Sequence, residues 1–93
     1  MKTTEDHIVK IAKALSDKTR VRILREIAKL GSLGCGDAEK ISGLSQPTVS
    51  HHIRILTEAG LIIAEKNGRH VQITVNAEAL EEFAALLPSA KKQ

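Results

Sequence analysis

The stretch Leu44-Ser45-Gln46-Pro47-Thr48-Val49-Ser50-His51-His52-Ile53-Arg54-Ile55-Leu56, continued by Glu58-Ala59-Gly60-Leu61, decides the fold. Ser45 is a helix N-cap residue type, expected to accept a hydrogen bond from a first-turn amide, and Pro47 falls in the first turn, where a missing N–H costs nothing. Gly60 supplies the stop. The spacing therefore predicts a helix from Gln46 to Ala59. At about 100° per residue, Val49, His52, Ile53 and Leu56 share one face, while Pro47, Ser50, His51, Arg54 and Glu58 share the other. The first face packs against something; the second stays polar and free to form hydrogen bonds.

Working outward, residues 37 to 41 make a short helix and Ser42-Gly43-Leu44 a tight turn, so that residues 37–59 form a helix-turn-helix unit. Behind it, Leu61 to Lys66 and Arg69 to Val75 flank Asn67-Gly68, the pair favoured in a two-residue type I′ turn. That turn sets an expected register in which Lys66 faces Arg69, Glu65 faces His70, Ala64 faces Val71, Ile63 faces Gln72 and Ile62 faces Ile73. Ile62, Ala64, Val71 and Ile73 then share one face, which Lys66 and Arg69 continue to the tip. Two cations side by side repel each other, and a phosphate between them would remove the penalty. Residues 61–75 thus read as a wing that grips a nucleic-acid backbone, although charges at a turn also serve to block edge pairing.

Toward the N-terminus, Ile8, Ile11, Ala12 and Leu15 recur at helical spacing and predict a helix over residues 4–15. Ser16 or Asp17 caps the next helix, where Val21, Ile23, Leu24, Ile27, Ala28 and Leu30 cover about half the circumference and Arg20, Arg22, Arg25, Glu26 and Lys29 hold the rest. A last helix over residues 77–87 carries Leu80, Phe83, Ala84 and Leu87 on one stripe; Pro88 ends it and leaves residues 89–93 as a frayed tail. The helices at 4–15 and 77–87 present apolar stripes that so small a domain has little core to cover, and are read as dimerisation helices. The expected architecture is a single domain over residues 1–93, mainly α with a small β-hairpin. It is a homodimeric winged helix-turn-helix in the order α-α-α-α-β-β-α.

Composition narrows the partner. The chain has 93 residues, a net charge of +3 and a single aromatic side chain, Phe83. Single-stranded nucleic acids and RNA are usually held by stacking on aromatic rings, so double-stranded DNA is the better partner. Gln46 suits an adenine edge, Thr48 a thymine methyl or a polar base edge, and Arg54 a guanine or a phosphate; His51 faces outward as a further DNA contact, while His52 lies at the core edge and braces the helix through a hydrogen bond. No apolar run approaches a membrane span and no signal-peptide core opens the sequence, which predicts a cytoplasmic protein with no membrane partner. No nucleophile–base pair, phosphate-cradling glycine loop or paired-acid constellation is visible, so an enzyme is not expected. A winged-helix module that docks a protein, without sequence-specific DNA binding, is the alternative.

Leu15-Ser16-Asp17-Lys18-Thr19-Arg20-Val21-Arg22-Ile23-Leu24, the Leu44–Ile53 stretch, Glu58-Ala59-Gly60-Leu61 and Asn67-Gly68-Arg69 together resemble the ArsR/SmtB family of winged-helix repressors, over about residues 15–87. The resemblance implies a homodimer that occupies operator DNA over a promoter and releases it when an inducer, often a metal ion, binds; two recognition helices about one DNA turn apart would demand a palindromic operator. The resemblance places DNA contacts at Gln46, Thr48, Ser50 and His51, with Arg54 nearby and Lys66 and Arg69 on the wing. The sequence departs from metal-sensing relatives, which carry a Cys-x-Cys pair where this chain has Leu33-Gly34-Cys35-Gly36-Asp37, and residues 77–87 contain no His. No metal and no other cofactor is therefore expected. Two readings stay open for Cys35: a small residue packed beside two glycines, or a redox-responsive thiol at a helix N-terminus.

Overall fold

The computed structural model describes residues 4–88, with only the backbone for Cys35, Glu39 and Ile41. Along the chain run α1 (Thr4–Ala14), α2 (Lys18–Leu30), β1 (Leu33–Gly34), α3 (Cys35–Ser42), α4 (Gln46–Glu58), β2 (Ile62–Asn67), β3 (His70–Val75) and α5 (Ala77–Leu86). The tail expected at residues 89–93 and the redox reading of the Cys35 side chain lie outside what is described.

Of the two candidate caps for α2, Asp17 does the work: its carboxylate accepts the Arg20 backbone N–H at 3.1 Å. Ser16 instead turns back and donates its hydroxyl to the Lys13 carbonyl at 2.7 Å, closing the end of α1. The buried stripe of α2 is narrower than its apolar residues suggest. Ile23, Leu24 and Ile27 enter the core, whereas Leu30 is 55% exposed and Ala28 also faces outward. Gly31 ends the helix at a positive φ of +87°, and its N–H donates to the Ile27 carbonyl.

Two features of the sheet differ from the sequence reading. The first is β1, whose Leu33 pairs with Ile73 and Gly34 with Gln72, making a three-stranded antiparallel sheet in the order β1-β3-β2. The second is the hairpin register, in which Asn67 faces His70, Lys66 faces Val71, Ala64 faces Ile73 and Ile62 faces Val75. A type I′ turn on Asn67-Gly68 needs a positive φ at both residues, but among the described residues only glycines have one, and here it is Gly68 at +67°. The turn is consequently Gly68-Arg69, the glycine-first pattern of type II′, and Asn67 becomes part of the strand. Pairing slips by two residues, so each side chain keeps its face. The expected opposition of Lys66 and Arg69 does not exist: Lys66 projects from β2 and Arg69 sits in the turn.

One cluster of aliphatic side chains joins the elements. Ile11, Ile27, Leu56, Leu61 and Ile73 are its largest fully buried members, drawn from α1, α2, α4, the residue before β2, and β3. Helix α5 packs on α1 but buries no residue completely. Leu80 and Phe83 lean on the core, while Leu86 and Leu87 are 39% and 43% exposed.

Asn76 fastens α5 to the rest. Its side-chain oxygen caps the helix by accepting the Ala79 N–H at 3.2 Å, its side-chain amide donates to the Gly60 carbonyl at 3.0 Å, and its backbone N–H donates to Leu61 at 2.9 Å. Asn76→Ala is expected to lower stability by about 1 kcal/mol or more, because it removes the cap and strands the Gly60 carbonyl. Asn76→Asp keeps the acceptor and should recover part of that loss. Urea denaturation at one fixed protein concentration measures both.

Candidate nucleic-acid interface

The segment joining α3 to α4 is shaped by short-range chemistry. Ser42 Oγ accepts the Leu44 N–H at 3.2 Å and Gly43 adopts φ +70°, which turns the chain through the tight corner between the two helices. Ser45 has the extended backbone of an N-cap, at φ −67° and ψ 155°, but its hydroxyl does not cap an amide. It meets the Thr48 hydroxyl instead, at 3.0 Å. The first-turn amides of α4 are thereby left without a side-chain acceptor, with the positive end of the helix at the surface.

Along α4 the two faces separate as the periodicity requires. Val49, Ile53 and Leu56 are buried, and Gln46, Pro47, Thr48, Ser50, His51, Arg54 and Glu58 are exposed. On the exposed face Arg54 donates from Nη2 to His51 Nδ1 at 3.3 Å, a contact one helical turn long that aligns the two side chains. Thr57 donates its hydroxyl to the Ile53 carbonyl at 2.7 Å, and Gly60 ends the helix at φ +79°. Lys66 and Arg69, both exposed, stand on the wing that follows. All seven residues expected to contact DNA are thus at the surface, five on α4 and two on the hairpin.

His52 turns away from this face. Its side chain is only 12% exposed, with Nδ1 3.3 Å from Arg20 Nη1 and 3.8 Å from Asp17 Oδ2, so the bracing hydrogen bond expected from its position has Arg20 as its donor. Arg20 is the residue the sequence reading misplaced, by assigning it to the outer charged face of α2. Counting about 100° per residue puts it between Ile23 and Leu24, in the middle of the apolar arc, and that signal was available. The guanidinium is directed inward, where Nε donates to the Ala14 carbonyl at 2.7 Å and Nη2 to the Lys13 carbonyl at 3.3 Å.

Among the described residues a surface groove lies elsewhere, on the outer face of α2, where Lys18, Arg22, Arg25 and Lys29 line it. Among the described residues no group of three or more His, Cys, Asp or Glu side chains is placed to hold a metal ion, and no helix is long and apolar enough to cross a membrane. The chemistry on offer is that of a polar, hydrogen-bonding helix with cations at its flank and on the wing.

This arrangement has counterparts in known proteins. Residues 17–64, just over half of the chain, match the family model described as bacterial regulatory protein, arsR family. The transcriptional repressor SdpR of Bacillus subtilis (strain 168) is 33% identical over 72 residues, covering 77% of this chain and 79% of SdpR. An ArsR-like transcriptional regulator from Rhodococcus sp. RHA1 shares the fold with a TM-score of 0.81 at 24% identity, over 88% of this chain and 76% of that one. The homodimeric winged helix-turn-helix DNA-binding domain Mb0332 of Mycobacterium bovis does so with a TM-score of 0.76 at 23% identity, over 87% and 75%. The chain belongs to the arsR family of bacterial regulatory proteins and is a DNA-binding transcriptional regulator rather than an enzyme.

Proposed function

We propose that the chain is a repressor that binds a palindromic operator as a homodimer, inserting one α4 from each copy into the major groove. The observation that carries this reading is the division of α4 into a buried aliphatic face and an exposed, mainly polar one bearing Gln46, Ser50, His51 and Arg54. Gln46, in the first turn, reads an adenine through paired hydrogen bonds. Thr48 and Ser50 add single hydrogen bonds to base edges or phosphates, and His51 with Arg54 holds a guanine edge or a phosphate. Lys66 and Arg69 neutralise backbone phosphates beside the groove. They do so as two separate cations on one hairpin, without needing to stand opposite one another.

Pairing is assigned to α1 and α5. Val9 on α1 is 49% exposed, and α5 presents Leu86 with Leu87 just beyond its end, an apolar surface the protomer leaves uncovered. Mb0332, which shares the fold, is named as homodimeric, which supports pairing as such. Two-fold symmetry would then set two reading helices about one DNA turn, roughly 34 Å, apart.

Selection of bound duplexes from a random pool tests the proposal directly. A single palindrome is the expected product; recovery of no motif would point to a protein-docking module instead. With the selected site in hand, Gln46→Ala should cost about 1–3 kcal/mol and relax preference at one base position. Lys66→Ala and Arg69→Ala should weaken binding to every sequence and flatten the dependence of log K on log salt by about one unit each. An unchanged salt slope would remove the wing from the interface.

Leu86→Glu probes the pairing. The residue is exposed in the protomer, so the substitution should leave folding within about 0.5 kcal/mol. Sedimentation should nevertheless shift toward the monomer, and operator affinity should fall toward that of a single half-site. A dimer that survives the substitution would place the seam elsewhere.

A further inference from the structure

We infer that Arg20 and His52 form a positioning clamp that fixes the rotation and tilt of α4 relative to α1, and so sets the spacing of the two reading helices without touching DNA. The inference rests on the homodimeric reading above for its functional consequence, but the clamp itself is a matter of geometry. One guanidinium bridges two helices that are far apart in sequence. Its Nε and Nη2 hold the Ala14 and Lys13 carbonyls at the end of α1, and its Nη1 holds His52 Nδ1 in the middle of α4.

Each partner suits that task. The last carbonyls of a helix have no intrahelical donor and carry the negative end of the helix dipole, which makes them strong acceptors for a cation. A guanidinium can only donate, so the contact at 3.3 Å makes His52 Nδ1 the acceptor and leaves the ring hydrogen on Nε2. Asp17 fixes the start of the helix that carries Arg20: its Oδ2 accepts the Arg20 backbone N–H at 3.1 Å. A lysine at position 20 would offer one compact ammonium in place of this planar fork.

The clamp supplies what apolar packing lacks. Val49, Ile53 and Leu56 draw α4 onto the core, but that attraction is non-directional, whereas a hydrogen bond selects an orientation. His52 lies six residues from Gln46, about 9 Å along the helix axis, so a pivot of about 10° at His52 displaces the first turn by roughly 1.5 Å. That exceeds the tolerance of a base-edge hydrogen bond. The effect doubles across a symmetric dimer. Arg20 and His52 are accordingly residues on which half-site spacing depends, although neither belongs to the exposed face.

Three variants of the full chain test this: His52→Leu removes the acceptor, Arg20→Lys removes the fork, and His52→Asn places an amide oxygen near the position of Nδ1. Residual dipolar couplings report the angle between α1 and α4 with no DNA present. His52→Leu and Arg20→Lys should change that angle by about 10° or widen its distribution, and His52→Asn should restore it. An unchanged angle in His52→Leu overturns the clamp, whatever the protein binds. On the selected operator, wild type should prefer the native half-site spacing over spacings one base pair longer or shorter. That preference should fall at least fivefold in His52→Leu and recover in His52→Asn, with single half-site affinity and the urea midpoint moving little. Equal behaviour of His52→Leu and His52→Asn, or losses that follow the urea midpoint alone, also overturns it. If wild type selects no palindrome the dimer reading fails by itself, and the coupling measurement still decides the clamp.

Discussion

Burial of Val49, Ile53 and Leu56 is the constraint from which the rest of the molecule follows. Three aliphatic side chains at helical spacing in a helix of 13 residues fix which arc of α4 faces the core, and whatever occupies the opposite arc is presented to solvent. The core that receives them is built from Ile, Leu, Val and Ala, with Phe83 only leaning on its margin. Such a core forms by stacking thin layers: α2 behind α4, the small sheet beside it, and Leu61 and Ile62 sealing the passage between helix and hairpin. The polar face therefore needs no separate device to hold it outward.

Much of this was legible because α4 is punctuated as well as periodic. Pro47 in the first turn and Gly60 after the last one confine the helix, and the 3.6-residue repeat between them fixes which side packs. What escaped the sequence are features that only tertiary pairing creates. Leu33-Gly34 is too short to show any alternation, and it is a strand because β3 offers an edge to it. The hairpin turn followed the glycine and not the Asn-Gly pair, since Asn67 gains a cross-strand partner in His70 by staying extended. Ser45 has the identity and backbone of an N-cap, yet a hydroxyl neighbour, Thr48, competes successfully for its side chain.

The error over Arg20 has a different origin. A charge on an amphipathic helix ordinarily faces water, whereas position 20 lies squarely inside the apolar arc. The structure resolves the conflict by giving the guanidinium three acceptors, two of them carbonyls at the end of α1. An inward-facing arginine thus signals that a neighbouring helix ends nearby, and the sequence does show α1 ending, at Ser16-Asp17, only a few residues before. The helices proposed to pair, α1 and α5, carry the opposite lesson. Their amphipathic stripes are plain in the sequence, but a stripe does not name its partner, and in the protomer α5 remains without a fully buried residue.

Arg20 and Asn76 take on a joint meaning once both are placed. Arg20 ties the middle of α4 to the end of α1, and Asn76 ties the carbonyl of Gly60, just past the end of α4, to the start of α5. The two helices proposed to pair are therefore each joined to α4 or to the residue just past it by directional hydrogen bonds, at separated points. Two such points define an axis where one would define only a pivot. Apolar burial is non-directional, whereas these polar contacts select an orientation. That difference gives a physical reason for placing an arginine, a histidine and an asparagine at the margins of an otherwise apolar assembly.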